Sequence, residues 1–195
     1  MNFVEPIRDR KKLAQIKNLL RGQSRYRDLL LFTVGINTAL RISDLLTLRV
    51  GHFIDEQGKL KKRFSIKEKK RGKRHDVVIN QSIRDAFSEY KSEYPGILDE
   101  PDYFLFFNEK GKNYKAAIKR GQAWKFITSI CKDVGLQGNF GTHSLRKTWG
   151  YHARLQGVDL ALIMHKLNHA NISTTKRYLG ITSDELEAVI QRLTL

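Results

Sequence analysis

Apolar residues recur three and four positions apart from Asp9 to Leu20, where Leu13, Ile16, Leu19 and Leu20 share a face. That spacing predicts an amphipathic helix, broken at Gly22-Gln23-Ser24. Tyr26 to Ile36 is richly apolar (Leu29, Leu30, Leu31, Phe32, Val34) and predicts a buried helix. Ser43 is the expected N-cap of a helix over Asp44 to Leu48, which leaves Arg41 in a turn between two helices. From Val50 to Asn80 the pattern shortens. Phe53-Ile54, Phe64-Ser65-Ile66 and Val77-Val78-Ile79 are β-like pieces separated by Gly58 and Gly72. They predict a small antiparallel sheet whose second turn is Lys69-Lys70-Arg71-Gly72.

Further along, Ser82 to Tyr94 has helical spacing through Ile83, Ala86, Phe87 and Tyr90 and ends at Pro95-Gly96. A loop runs to Asp102, Tyr103 to Phe107 is a short apolar run, and Glu109-Lys110-Gly111-Lys112 turns. Ala116 to Val134 predicts a helix with Trp124, Phe126, Ile127 and Ile130 inward. After a loop from Gly135 to Gly141, Thr142 caps a helix reaching Leu155, with Leu145, Trp149, His152 and Leu155 spaced for burial. Asp159 caps a short helix through Leu162, Ile163 and Leu167. Thr182-Ser183-Asp184-Glu185 is a capping box before an apolar stripe of Leu186, Val189, Ile190 and Leu193. The expected class is mainly α with a small antiparallel β-sheet (α+β), in a single domain over residues 1–195.

Charge changes this picture. Thirty-six Lys or Arg against 20 Asp or Glu leave a formal +16, and the pI is near 10.0. On one domain, that excess points to a polyanion partner, nucleic acid first. Ten of the cations lie in residues 59–76, against the acids Glu68 and Asp76; most of such a run is solvated or touches phosphate without specificity. Lys69, Arg71, Lys73, Arg74, Lys119 and Arg120 are the candidate DNA contacts. The single cysteine, Cys131, excludes an internal disulfide or a cysteine-based zinc site and fits a reducing cytosol. No apolar run approaches the roughly 18 residues of a membrane span. The expected location is cytoplasmic, in a bacterium or carried by a phage or plasmid. His165 and His169 have i,i+4 spacing, but no third metal ligand accompanies them, and no metal or cofactor is expected.

Two clusters carry candidate chemistry. In a helix, His143 and Arg146 of Thr142-His143-Ser144-Leu145-Arg146 are i and i+3 and project from one face. Downstream, Tyr178 stands nine positions after His169, beside Lys176 and Arg177. Guanidinium matches phosphate oxygens, imidazole exchanges protons near neutral pH, and a phenol becomes a nucleophile when its phenolate is stabilised. Together they suit reaction at a phosphate diester.

The run from Leu167 to Tyr178, together with His143 and Arg146, resembles the C-terminal signature of the tyrosine recombinases (phage integrase family): His-x-x-Arg, then Leu-Gly-His, then the nucleophilic Tyr. Thr38-Ala39-Leu40-Arg41-Ile42-Ser43-Asp44-Leu45-Leu46 resembles the family's first-arginine box. Lys69-Lys70-Arg71-Gly72-Lys73 resembles the hairpin turn that holds its catalytic lysine. The resemblance covers nearly the whole chain and implies the tyrosine recombinase catalytic-domain fold. It implies a site-specific recombinase that cleaves and rejoins double-stranded DNA through a 3′-phosphotyrosyl intermediate. Arg41 and Arg146 then hold the scissile phosphate, His169 adds a hydrogen bond, Tyr178 attacks and His143 assists it. Lys70 protonates the leaving oxygen, with Lys69 its rival because the turn length is uncertain by one residue. A tetramer on two DNA sites follows, the state of the free protein being open, monomer included.

Asn168 stands where the family usually has Gly, and Asp44 where Glu is commoner; both changes are mild, since Asn tolerates left-handed backbone. The family's N-terminal core-binding domain is expected to be absent from this sequence. A type IB topoisomerase, a non-catalytic DNA-binding regulator and a basic RNA-binding protein are the alternative readings.

Overall fold

Asp9 opens the fold: its Oδ1 accepts the N–H of Lys11 at 2.7 Å and caps α1 (Arg10–Gly22). The computed structural model describes residues 4–70, 72–109, 114–181 and 191. The chain divides into two compact units, Met1–Trp149 and Gly150–Leu195.

In the first unit α2 (Tyr26–Thr38) packs against α1 and α5 (Gln81–Glu93). Leu29, Leu30, Leu31, Phe32 and Val34 are all fully buried. A helix apolar all round has no solvent face, so it becomes the centre of the unit. Each such side chain stabilises by roughly 1.5–3 kcal/mol, far above the about 0–1 kcal/mol of a surface ion pair. The bidentate pair of Arg21 with Glu89, at 2.7 and 2.8 Å, therefore sets the register of α1 on α5 more than it supplies stability.

Two short helices follow, α3 (Ile42–Leu45) and α4 (Val50–Phe53), then strands β1 (Arg63–Lys67) and β2 (Arg74–Val78). The strands pair antiparallel, from Arg63 opposite Val78 to Lys67 opposite Arg74. Phe64, His75 and Val77 face inward, while Arg63, Ser65, Lys67, Arg74 and Asp76 face water, the two-residue alternation of a half-buried sheet. A 3₁₀ turn over Pro95–Asp99, α6 (Arg120–Asp133) and α7 (Thr142–Leu155) complete the order, with α7 continuing into the second unit.

At Gly35 the backbone of α2 lies hard against α7: an added Cβ would sit 2.5 Å from Leu145 Cδ1 and 3.2 Å from its Cβ. Gly35→Ala is expected to destabilise by roughly 1–2 kcal/mol, because the overpacking cost of about 1–3 kcal/mol exceeds the helix-propensity gain of ~0.5–1 kcal/mol. Calorimetry should show Tm lower by about 2–8 °C. An unchanged or higher Tm would mean that Leu145 repacks without cost.

The expected α+β class is what the structure has, but six local readings are corrected. Phe53-Ile54 is not a strand. The N–H of Arg49 donates to His52 Nδ1 at 3.0 Å and closes a helical turn ending at Phe53, and Ile54 forms only an isolated bridge to Leu60. Arg41, not Ser43, is the N-cap of α3, and Ser43 lies inside that helix. The helix expected from Ala116 starts at Arg120, because Ala117 is held in a bridge to Phe107 and Gln122 Oε1 takes the N–H of Lys119 at 2.8 Å. Trp124 is half exposed, since the buried stripe of α6 runs through Ala123, Phe126, Ile127, Ile130 and Cys131. Leu155, the last residue of α7, is 64% exposed. Thr142 is the first helical residue of α7, whose start Ser144 closes by accepting the N–H of Gly141 at 3.0 Å.

The second unit holds the end of α7, α8 (Leu160–Lys166) and α9 (Ile172–Leu179), with Ile163 and Leu167 buried. Asp159 caps α8 through the N–H of Ala161 at 2.7 Å. Asn168 then turns the chain at φ 47°, the left-handed geometry its short amide tolerates. Asn171 caps α9, its Oδ1 accepting the N–H of Thr174 at 2.8 Å. Arg71, the Lys110–Lys112 turn, the capping box at Thr182 and the apolar stripe from Leu186 lie outside the described residues. No described helix is long and apolar enough to cross a membrane.

Candidate functional site

Arg41 sits where α2 ends and α3 begins. The α2 C-cap, Ala39, is left-handed at φ 59°, a conformation rare for a residue with a Cβ. It turns the chain sharply and leaves Arg41 with a side chain 14% exposed. Arg41 Nη1 lies 2.5 Å from Oε1 of the buried Glu68, whose same oxygen is 3.4 Å from His75 Nδ1. His75 is itself buried, and its Nε2 donates to the Thr38 carbonyl at 3.1 Å.

The hairpin turn is tied to this corner. Gly72, at φ 64°, donates its N–H to the Glu68 carbonyl at 2.8 Å, and the Glu68 N–H donates to the Lys73 carbonyl at 2.9 Å. Lys70 is therefore in the middle of a closed loop, its side chain exposed like that of Lys69. The Lys69 N–H donates to Asp44 Oδ1 at 2.9 Å, and Asp44 is buried in α3.

α7 adds the third element. Arg146 is 3% exposed, and its Nη1 donates to the carbonyl of Ala39. Arg146 thereby reaches the turn that presents Arg41. His143, one helical turn earlier, keeps an exposed edge. Desolvation, then the positive field of Arg120, Arg146, Lys147 and Arg41, hold its pKa below the ordinary value of 6.5. One unit thus gathers Arg41, Arg146 and His143, with the Lys70 turn fastened to the same corner. Such an array suits a phosphate diester, whose charge the cations match.

The second unit carries the other two candidates. His169 Nδ1 is 3.0 Å from the hydroxyl of the buried Thr175, which orients the ring. Its ring meets that of Tyr178 edge to face, centroids 5.0 Å apart at 75°. Thr175 and Tyr178 are i and i+3 on α9, so one helix face holds both the brace of the imidazole and the phenol. Of the weaker candidates, Lys69, Lys73, Arg74, Lys119 and Arg120 are exposed. Among the described residues no group of three or more His, Cys, Asp or Glu could hold a metal ion.

Sequence reading passed over Glu68, His75 and Lys147. Lys147, buried beside Arg146 in sequence, has its pKa pushed down to about 8 by burial and then by Arg8. For Glu68 a signal existed: it continues the alternation Phe64, Ile66, and so falls on the inner face.

The family model described as Phage integrase family matches residues 9–185. The chain is 35% identical over 188 residues to the probable integrase/recombinase YoeC of Bacillus subtilis (strain 168), covering 96% of each. It is 28% identical over 182 residues to tyrosine recombinase XerA of Pyrococcus horikoshii, covering 93% of this chain and 60% of that protein. A solved XerH site-specific recombinase, bound to palindromic difH substrate in a post-cleavage complex, has the same fold with a TM-score of 0.70. The identity there is 22%, over 96% of this chain and 53% of that one.

Proposed function

The chain belongs to the phage integrase family, and on that premise we propose that it is a site-specific recombinase that cuts and rejoins double-stranded DNA. The observation that carries the reading is the meeting of three separate segments at one corner: the Arg41 turn, the hairpin of Lys70 and the helix of His143 and Arg146. Arg146 and the Ala39 carbonyl it reaches lie 107 residues apart in sequence, and a DNA-binding surface alone gives no reason for buried arginines to converge.

The roles are those that the family resemblance implies and the groups permit. Arg41 and Arg146 take the non-bridging oxygens of the scissile phosphate and stabilise the charge that grows as phosphorus becomes pentacoordinate. His169 donates a hydrogen bond to the same oxygens. The Tyr178 hydroxyl attacks phosphorus and gives its proton to His143. The bond from phosphorus to the 5′ oxygen breaks, Lys70 protonates that oxygen, and a 3′-phosphotyrosyl link remains. The link conserves the bond energy of the diester, so rejoining is the reverse reaction and takes no nucleotide. Exchange between two sites calls for four protomers on two DNA duplexes, and the cytoplasm is the compartment of this DNA.

The test is covalent trapping on nicked suicide duplexes, from which the leaving strand diffuses and cannot be rejoined. The full chain in EDTA is expected to give a protease-sensitive protein–DNA band. DNA binding without any such band would overturn the reading. The pH dependence follows from His143. Its pKa lies below 6.5, so it is neutral at pH 7 and loses its capacity as a base only as pH falls through that lowered value. The single-turnover cleavage rate should therefore have an acid limb with its midpoint below 6.5, and His143→Gln should remove that limb. A limb at higher pH, or one kept by the variant, would assign the titration to another group.

A further inference from the structure

The hairpin run contains two acids among ten cations, and they behave differently. Asp76 faces water and pairs with Arg74 at 2.8 Å, a contact worth little. Glu68 is 1% exposed. Carboxylates are kept out of water only where partners offset the desolvation, and here the partners include Arg41 and His75.

Accepting the recombinase reading, we propose that Glu68 is a positioning residue for Arg41 and locks that guanidinium to the turn carrying Lys70. Its side chain reaches Arg41, while its N–H and carbonyl both close the turn, to Lys73 and from Gly72. Asp44 makes the reverse crossing, from the arginine box to the main-chain N–H of Lys69. The two carboxylates thus clasp phosphate clamp and turn together from opposite sides. His75 braces Glu68 from behind, its own ring anchored to the Thr38 carbonyl at 3.1 Å.

Geometry explains why this helps rather than competes. Guanidinium has five donors in a planar fork, and a carboxylate at Nη1 leaves the other edge for two phosphate oxygens. An arginine side chain has four rotatable torsions; Glu68 removes that freedom before DNA arrives.

The test compares Glu68→Gln with the unaltered full chain in single-turnover cleavage of the suicide duplex at saturating protein. Glu68→Gln is expected to cleave ~10–100-fold more slowly, the scale on which small misplacements act, with Kd for the duplex changed less than about 3-fold. On an Arg41→Ala background the same change should cost less than about 2-fold, because a residue acting through Arg41 has nothing left to act on. That double variant removes both charges of the buried pair, so it also provides a folded reference should Glu68→Gln alone be unstable. Wild-type or faster cleavage by Glu68→Gln, or an undiminished loss on the Arg41→Ala background, would overturn the proposal; faster cleavage would make Glu68 a competitor of phosphate.

A second measurement needs no cleavage, so it separates this inference from the recombinase reading. Nitrogen-15 NMR of the DNA-free protein should show separate, slowly exchanging Nη–H resonances for Arg41, and these should merge in Glu68→Gln. Merged resonances in the unaltered protein would refute the lock even if the chain cleaves DNA as proposed.

Discussion

Tyr178→Phe is expected to abolish the covalent protein–DNA band while leaving duplex binding within about 2-fold. The change removes one oxygen and keeps the ring that packs edge to face on His169, so neither α9 nor the imidazole loses its support. Removing a nucleophile leaves only the contributions of binding and charge stabilisation, and the loss should be at least ~10⁴-fold. The chain has seven tyrosines, and the environments of two others argue against substitution in this role. Tyr90 is buried, donates to the Leu105 carbonyl at 2.7 Å, and has its pKa pushed well up by desolvation. The pKa of Tyr94 is pushed up to about 12, again by burial first and then by neighbouring acids. Phenolate is disfavoured at both. Tyr178 instead lies in the last turn of α9 beside Lys176 and Arg177. A band surviving in Tyr178→Phe would move the nucleophile to another tyrosine, and peptide mapping of the adduct would name it.

How far the site could be read beforehand depended on the range of the interaction. The turn at Arg41, the i,i+3 pairing of His143 with Arg146 and the left-handed Asn168 are local matters of capping, periodicity and turn chemistry, and each stands in the structure as the spacing implied. Trp124 failed for a local reason too: size suggested burial, but the stripe through Ala123 and Ile127 placed it about a hundred degrees off the core face. Phe53 failed because two adjacent bulky apolar residues suit a strand equally well, and the backbone bond from Arg49 to the His52 ring decided otherwise. What no pattern reveals is the long-range part. That Arg146 would donate to the carbonyl of Ala39, 107 residues away, or that Glu68 would meet Arg41, depends on how α7 and the hairpin pack on α2. The candidates could be named one by one; the packing that brings Arg41, Arg146 and Glu68 to one corner could not.

The hairpin offers a second large effect, and its measurement decides between the two lysines. A 5′ alkoxide leaves poorly, so the group that protonates it is worth a factor of ~10²–10⁴. Lys69 has its main chain drawn toward α3 by Asp44. Lys70 sits at the middle of the turn closed between Glu68 and Gly72, where a hairpin tip presents its ammonium outward. Lys70→Ala is accordingly expected to slow single-turnover cleavage by ~10²–10⁴-fold, and Lys69→Ala by less than about 3-fold. The decisive control replaces the bridging 5′ oxygen with sulfur. A thiol has a pKa of about 8.5 and departs as thiolate without a proton. The Lys70→Ala defect should then disappear, whereas the Glu68→Gln defect should remain if Glu68 acts on the phosphate clamp. If sulfur rescues Lys69→Ala instead, the proton donor is the residue whose backbone Asp44 holds. If neither lysine matters on oxygen, protonation comes from outside the hairpin, and the clasp of Asp44 and Glu68 would serve the arginine alone.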